Sequence, residues 1–175
     1  MEKKYPLKDK SSSLNAQFGV AARDITPPIG INTRNWGAAT FDQAIAVHQP
    51  LLMHCLCIKS NDNISILLTA DLGWWKNVSD EQRIRFSLLE YFKLEETQLV
   101  FTLSHTHAGP SICSTDVERP GGELIPAYLD FNLPDYSGNI QTTLENLIEI
   151  YVTTTPTKSN EFRTIQDALH YAARY

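Results

Sequence analysis

Apolar positions in this chain fall into short, β-prone runs separated by polar or Gly- and Pro-rich breaks, with stretches of helical spacing between them. Phe18-Gly-Val-Ala-Ala-Arg-Asp-Ile-Thr26 predicts a first strand near 17–24, stopped by Pro27, Pro28 and Gly30. Leu52-Met-His-Cys-Leu-Cys-Ile58 predicts a second strand near 51–59, followed by hairpin chemistry in Lys59-Ser-Asn-Asp-Asn63. Ile64-Ser-Ile-Leu-Leu-Thr69 is nearly continuously apolar and predicts an interior third strand near 64–70. Ser79-Asp-Glu-Gln82 matches a capping box, and Ile84, Leu88, Tyr91 and Phe92 keep helical spacing, so an amphipathic helix is expected over 79–92. A fourth strand is expected near 98–104. Ile140, Leu144, Leu147, Ile148 and Tyr151 predict a second helix over 136–151, and Ile165, Ala168 and Leu169 a short helix within 164–175.

The order strand, helix, strand over 64–104 is a βαβ crossover. It lays the two strands parallel and brings both of their carboxyl ends to one edge of the sheet. The expected fold class is therefore α/β: a mixed β-sheet with flanking helices.

At 175 residues the chain suits one domain or a large piece of one, and 42% hydrophobic content is enough for a core. The net charge of −5 includes no basic stripe beyond Lys3, Lys4, Lys8 and Lys10, so no nucleic-acid partner is expected. No apolar stretch reaches the ~20 residues of a transmembrane segment. The basic N-terminus lacks a signal-peptide apolar region, so the chain as written is expected in the cytoplasm. Cys55 and Cys57 share one strand face, where i and i+2 are poorly placed for a disulfide, and read as small buried apolar residues.

Candidate chemistry concentrates at the end of the fourth strand. Leu99-Val-Phe-Thr-Leu-Ser-His105-Thr-His107-Ala-Gly-Pro110-Ser111 runs from an apolar strand into two histidines one residue apart. In extended backbone both would point to the same face. Either both meet one metal ion, or one binds metal while the other handles a proton, or the two are surface histidines at a strand end. Asp71 follows the third strand directly, where open α/β sheets place their sites; the alternative is that it satisfies nearby backbone N–H groups. Trp36 sits in a loop as a pocket neighbour or a local core plug. His54 is expected half-buried on its strand, and His48 as a loop anchor.

Gly19-Val-Ala-Ala-Arg-Asp-Ile-Thr-Pro-Pro-Ile-Gly30, His48-Gln-Pro-Leu51, Thr69-Ala-Asp-Leu-Gly73 and Ser104-His-Thr-His-Ala-Gly-Pro110 together resemble the neutral/alkaline, non-lysosomal ceramidase family, most closely its bacterial ceramidase-like members. The resemblance runs from about Phe18 to Ser111, with Ser104 in place of the Thr that opens the family's Thr-His-Thr-His signature. It implies the N-terminal part of a zinc amidase catalytic domain that cleaves an N-acyl amide, ceramide-like bond by metal-activated water. By the same resemblance His105 is the zinc ligand, and His107 and Asp71 are catalytic. The family's further ligands, a second His, a Glu and a Tyr, lie far downstream of the signature. Among residues 108–175 only His170 is a histidine, and its surroundings do not match that pattern. The expected organisation is thus a flexible tail over 1–16, a partial catalytic domain over 17–152 and a divergent or frameshifted tail over 153–175. The partner of the chain would be the missing C-terminal half of the domain, and its substrate a lipid amide. The alternatives are a hydrolase of a soluble amide or ester on the same scaffold, or a non-catalytic remnant or binding module.

Overall fold

The computed structural model describes residues 14–130, 141–142, 144–145, 148–152 and 161–162. Among these residues six strands form one mixed sheet: β1 (Leu14–Asp24), β2 (Leu52–Ser60), β3 (Asn63–Ala70), β4 (Leu99–Leu103), β5 (Ile148–Val152) and β6 (Glu161–Phe162), in the spatial order β4-β3-β2-β1-β5-β6. The four strands expected from sequence are all present, within three residues of their expected ends. β2 and β3 are an antiparallel hairpin closed by the two-residue turn Asn61–Asp62, with Asn61 in the left-handed region that Asn tolerates. β3 and β4 are parallel neighbours, pairing Ile66 with Leu99 through Ala70 with Leu103, as the crossover argument requires.

The crossover helix α1 spans Val78–Phe92 and buries Ile84, Leu88 and Leu89 against the sheet. The sheet answers with Met53, Cys55, Cys57, Ile66, Leu68, Ala70 and Leu99, one alternate set along β2, β3 and β4, which is the period-2 pattern of a face packed on a core. Cys55, Cys57 and Cys113 are buried thiols. Burial pushes the Cys57 thiol up to about 12.

Two details of α1 differ from the sequence reading. The helix starts after Asn77, whose side chain makes no capping bond, and the expected Ser79–Gln82 box does not form. Asp80 is turned inward, where its Oδ2 accepts the backbone N–H of Ser114 at 2.9 Å. Tyr91, expected on the buried stripe, is exposed and packs edge-on against Phe92, while Leu89 is buried with Ile84 and Leu88.

The expected helix over 136–151 is corrected at its C-terminal end. Residues 141–142 and 144–145 are helical, but 148–152 form β5, antiparallel to β1 with Leu14 opposite Val152. β1 extends beyond its pairing with β2, which begins at Gln17 opposite Lys59, and its other edge accepts a further strand. Ile148, Ile150 and Val152 alternate and are β-branched, which suits that edge better than a helix. A helical turn over 125–130 was not expected. Pro126 in its first turn and the i, i+3, i+4 set Ile125, Tyr128 and Leu129, all buried, are the signals for it. The expected helix within 164–175 and His170 lie outside the described residues.

Among the described residues no helix is long and apolar enough to cross a membrane.

Candidate functional site

The carboxyl ends of β3 and β4 lie side by side, because these two strands are parallel and in register to their last residues. Asp71 leaves β3 and is fixed at once to the neighbouring strand. Its N–H donates to the Leu52 carbonyl at 2.8 Å, and its Oδ2 accepts the Leu52 N–H at 3.0 Å. The backbone-satisfying role weighed for Asp71 is therefore real. Asp71 nevertheless also lines a cavity of about 740 Å³ together with Ser104, Thr106 and His107.

β4 ends at Leu103, before the histidines. Ser104 N–H still donates to the Ala70 carbonyl and Thr106 N–H to that of Leu72, so the outgoing chain remains stitched to the one leaving β3. Between these two bonds His105 takes φ 60°, the left-handed region. The pleat argument for two histidines on one strand face thus does not apply, since neither residue is in extended strand. A turn brings the imidazoles together instead: their ring centroids lie 5.1 Å apart with planes at 65°.

Two tryptophans complete the arrangement. Trp36 stacks on His107 with centroids 3.9 Å apart and planes at 20°, and Trp74 stacks on His105 at 5.3 Å and 30°. Trp36 and Trp74 meet edge to face at 6.4 Å. Trp36 is therefore no core plug: it is exposed and covers one face of an imidazole. Both histidines are themselves exposed. Each is stacked on an indole on one side.

The histidine loop is anchored from below. Buried Asn35 donates through Nδ2 to the Pro110 carbonyl, and Ser111 N–H donates to the Asn32 carbonyl at 2.8 Å. A Cβ on Gly109 would lie 3.1 Å from Thr106 Cγ2, so this turn accepts glycine most easily. Beyond it, Asp116 accepts Ser111 Oγ–H and Lys76 Nζ–H on the same Oδ2, each at 2.6 Å, and pairs through Oδ1 with Arg119 at 3.1 Å. Burial alone would raise the Asp116 pKa; the hydrogen bonds from Lys76 and Ser111 and the charges of Lys76 and Arg119 outweigh it and hold the carboxyl below its ordinary range. Sequence spacing does not reveal this clamp, because Lys76 lies 35 and 40 residues before Ser111 and Asp116. His54 is exposed rather than half-buried, since it points to the sheet face opposite α1; exposed His48 lines the cavity.

A catalytic zinc needs three or four protein donors and an open position, and two imidazoles sharing a tetrahedral zinc have centroids roughly 5 Å apart. The His105–His107 separation fits such a pair. Among the described residues no third His, Cys, Asp or Glu closes on them to make a metal-holding group. These residues thus fit part of a donor shell.

No protein-family model and no curated protein sequence matches the chain. Its fold is similar to that of the neutral ceramidase from Pseudomonas aeruginosa, with a TM-score of 0.55 and 16% identity over 78% of this chain and 22% of that one. A ceramidase complexed with C2 gives a TM-score of 0.57 and 15% identity over the same shares. At such identities the likeness is one of fold. The chain shares its architecture with part of a ceramidase and spans 22% of the ceramidase chain's length.

Proposed function

We propose that this chain is the histidine-bearing part of a ceramidase-type, zinc-dependent hydrolase that cleaves an N-acyl amide bond of a lipid. The observation that carries the proposal is the His105–His107 pair, sandwiched by Trp74 and Trp36 at the carboxyl edge of β3 and β4, within a ceramidase-like fold. His105 holds the metal, with further donors supplied from outside the described residues. Zinc, when bound, supplies Lewis acidity and a coordinated water of pKa about 7.

The remaining roles belong to the chain's own side chains. His107 lines the cavity and, with its ring clamped by Trp36, accepts a proton on one nitrogen and passes it to the leaving amine, or donates a hydrogen bond to the carbonyl oxygen as charge develops there. Asp71, fixed through Leu52, lines the same cavity, where its free carboxylate oxygen accepts a hydrogen bond from the leaving amine.

The test is zinc titration of the chain followed by tryptophan fluorescence, because both indoles stack on the two imidazoles. Weak binding is expected, well under one tightly held ion per molecule, and His105→Ala abolishes it. In the natural polypeptide that carries this chain, His105→Ala loses both zinc and hydrolysis of N-acylsphingosine. His107→Ala keeps zinc and slows hydrolysis by ~10²-fold or more. If neither substitution changes zinc binding or turnover, the proposal fails.

A further inference from the structure

We propose that Lys76 is a positioning residue: through its bond to buried Asp116 it holds Trp74 stacked on His105. Trp74 and Lys76 belong to the short segment that leaves β3 after Asp71 and enters α1 at Val78, and residues 72–75 within it have no regular structure. Among the described residues, 73–75 make no hydrogen bond, and the side-chain hydrogen bonds of the segment all come from Lys76. Its Nζ donates to Asp116 Oδ2 at 2.6 Å and reaches Ser111 Oγ at 3.4 Å. Ser111 directly follows the turn that carries both histidines. The bond therefore joins the segment bearing the indole to the base of the loop bearing the imidazoles.

The two tryptophan–histidine stacks are supported differently. Trp36 follows buried Asn35, whose Nδ2 donates to the Pro110 carbonyl, so the Trp36–His107 stack has its own bond to the histidine loop. Trp74 is placed by rings: His105 at 5.3 Å, with Trp36 and His107 edge-on at 6.4 Å each. Trp75 beside it packs edge-on against Phe101 of β4 at 5.9 Å, an apolar contact that lacks the direction of a hydrogen bond. Lys76, two residues after Trp74, supplies the directed tie.

The ionic character of that tie fits a positioning role. The Lys76 side chain is 25% exposed and that of Asp116 8%. Desolvation cancels much of the attraction in such a pair, and apolar residues of similar size would hold the two segments as firmly. They would lack a fixed donor–acceptor geometry. Asp116 is also held without Lys76, by Ser111 Oγ at 2.6 Å and Arg119 at 3.1 Å, so it is a fixed post for the lysine. The placement of Trp74 stands on this geometry; only its consequence for turnover rests on the proposed hydrolase function.

Proton NMR of the chain tests it. In the unmodified chain, Overhauser cross-peaks should join Trp74 to His105 and Trp36 to His107, beside a slowly exchanging Lys76 ammonium signal. Lys76→Met leaves Asp116 with Ser111 and Arg119. It should remove the Trp74–His105 cross-peaks and keep those of Trp36 and His107, and Lys76→Arg should retain both. Four results overturn the proposal: Trp74–His105 cross-peaks that persist in Lys76→Met, loss of both sets together by unfolding or otherwise, their loss in Lys76→Arg, or no Lys76 ammonium signal in the unmodified chain. In the natural polypeptide that carries this chain, Lys76→Met should lower kcat for N-acylsphingosine roughly tenfold or more with KM changed less than about twofold. Selective loss of the stack with kcat unchanged would deny Lys76 its part in the reaction. The same selective loss in a polypeptide that hydrolyses no amide even when unmodified would sink the proposed function and leave the placement of Trp74 standing.

Discussion

Replacing Asp116 by Asn keeps the shape of the residue and removes its charge from a buried clamp. The carboxylate receives Lys76 and Ser111 on one oxygen and Arg119 on the other. Hydrogen bonds to a charged group contribute about 1.5–3 kcal/mol each. The Lys76 side chain is 25% exposed and that of Arg119 51%, so solvent screening reduces their share, while buried Ser111 loses a charged acceptor in full. A net loss of about 2–4 kcal/mol follows, within the range for breaking a partly buried ion pair. Because the folded-state pKa lies below its ordinary 3.8, the wild-type advantage is fully present above that value and disappears as pH falls through the depressed one. Urea unfolding of wild type and Asp116→Asn at pH 7 and near pH 2.5 measures both effects. The difference should be large at pH 7 and shrink in acid. A difference under about 0.5 kcal/mol at pH 7, or one that does not change with pH, would refute the account of the clamp.

Gly121 adopts φ 75°, and a Cβ there would lie 2.8 Å from the Asn32 nitrogen; Gly121→Ala should cost about 3 kcal/mol or more in urea unfolding, and a cost under ~1 kcal/mol would show that the backbone around Asn32 shifts freely. Cys57, fully buried with its thiol at about 12, should resist iodoacetamide at pH 8.5 in the native protein and react on unfolding. Its raised pKa adds stability that is complete below the ordinary thiol value and lost as pH rises toward 12, so rapid native labelling would contradict its placement. Asn35→Ala removes the donor to the Pro110 carbonyl and should cost about 1–3 kcal/mol; unchanged stability together with unchanged tryptophan fluorescence would mean that the histidine loop is held elsewhere.

The sheet's left half was legible because its signals are local. β2 and β3 have alternating or continuous apolar runs joined by turn residues, and α1 between β3 and β4 dictates a parallel pair. Leu144, Leu147, Ile148 and Tyr151 match helical spacing, so the sequence alone predicts helix where β5 stands, and Leu144 does pack against the core. What decided the state of 148–152 was an open edge on β1, more than a hundred residues earlier in the chain. Local periodicity carries no knowledge of that edge. The capping box does not form because the helix starts at Val78, which puts Ser79 inside its first turn rather than at the N-cap position held by Asn77.

The site shows how a correct grouping can follow from a mistaken geometry. The spacing of His105 and His107 suggested one strand face, and the rings do meet, yet β4 ends two residues before His105 and a left-handed backbone makes the meeting. A residue with a Cβ held at positive φ carries strain, which persists only where its surroundings over-determine it. Here the surroundings are visible: Ser104 and Thr106 bond to Ala70 and Leu72 on either side, and Trp74 stacks on the imidazole itself. None of these partners is encoded in the His-x-His spacing, since Trp74 and Trp36 lie 31 and 69 residues before His105. The same frame that strains His105 aims its ring across 5.1 Å at His107, whose other face is closed by Trp36. A flexible surface pair would need no such support. Two exposed imidazoles brought together, each stacked on its own indole, are what a site needs when a ligand or proton must arrive between them.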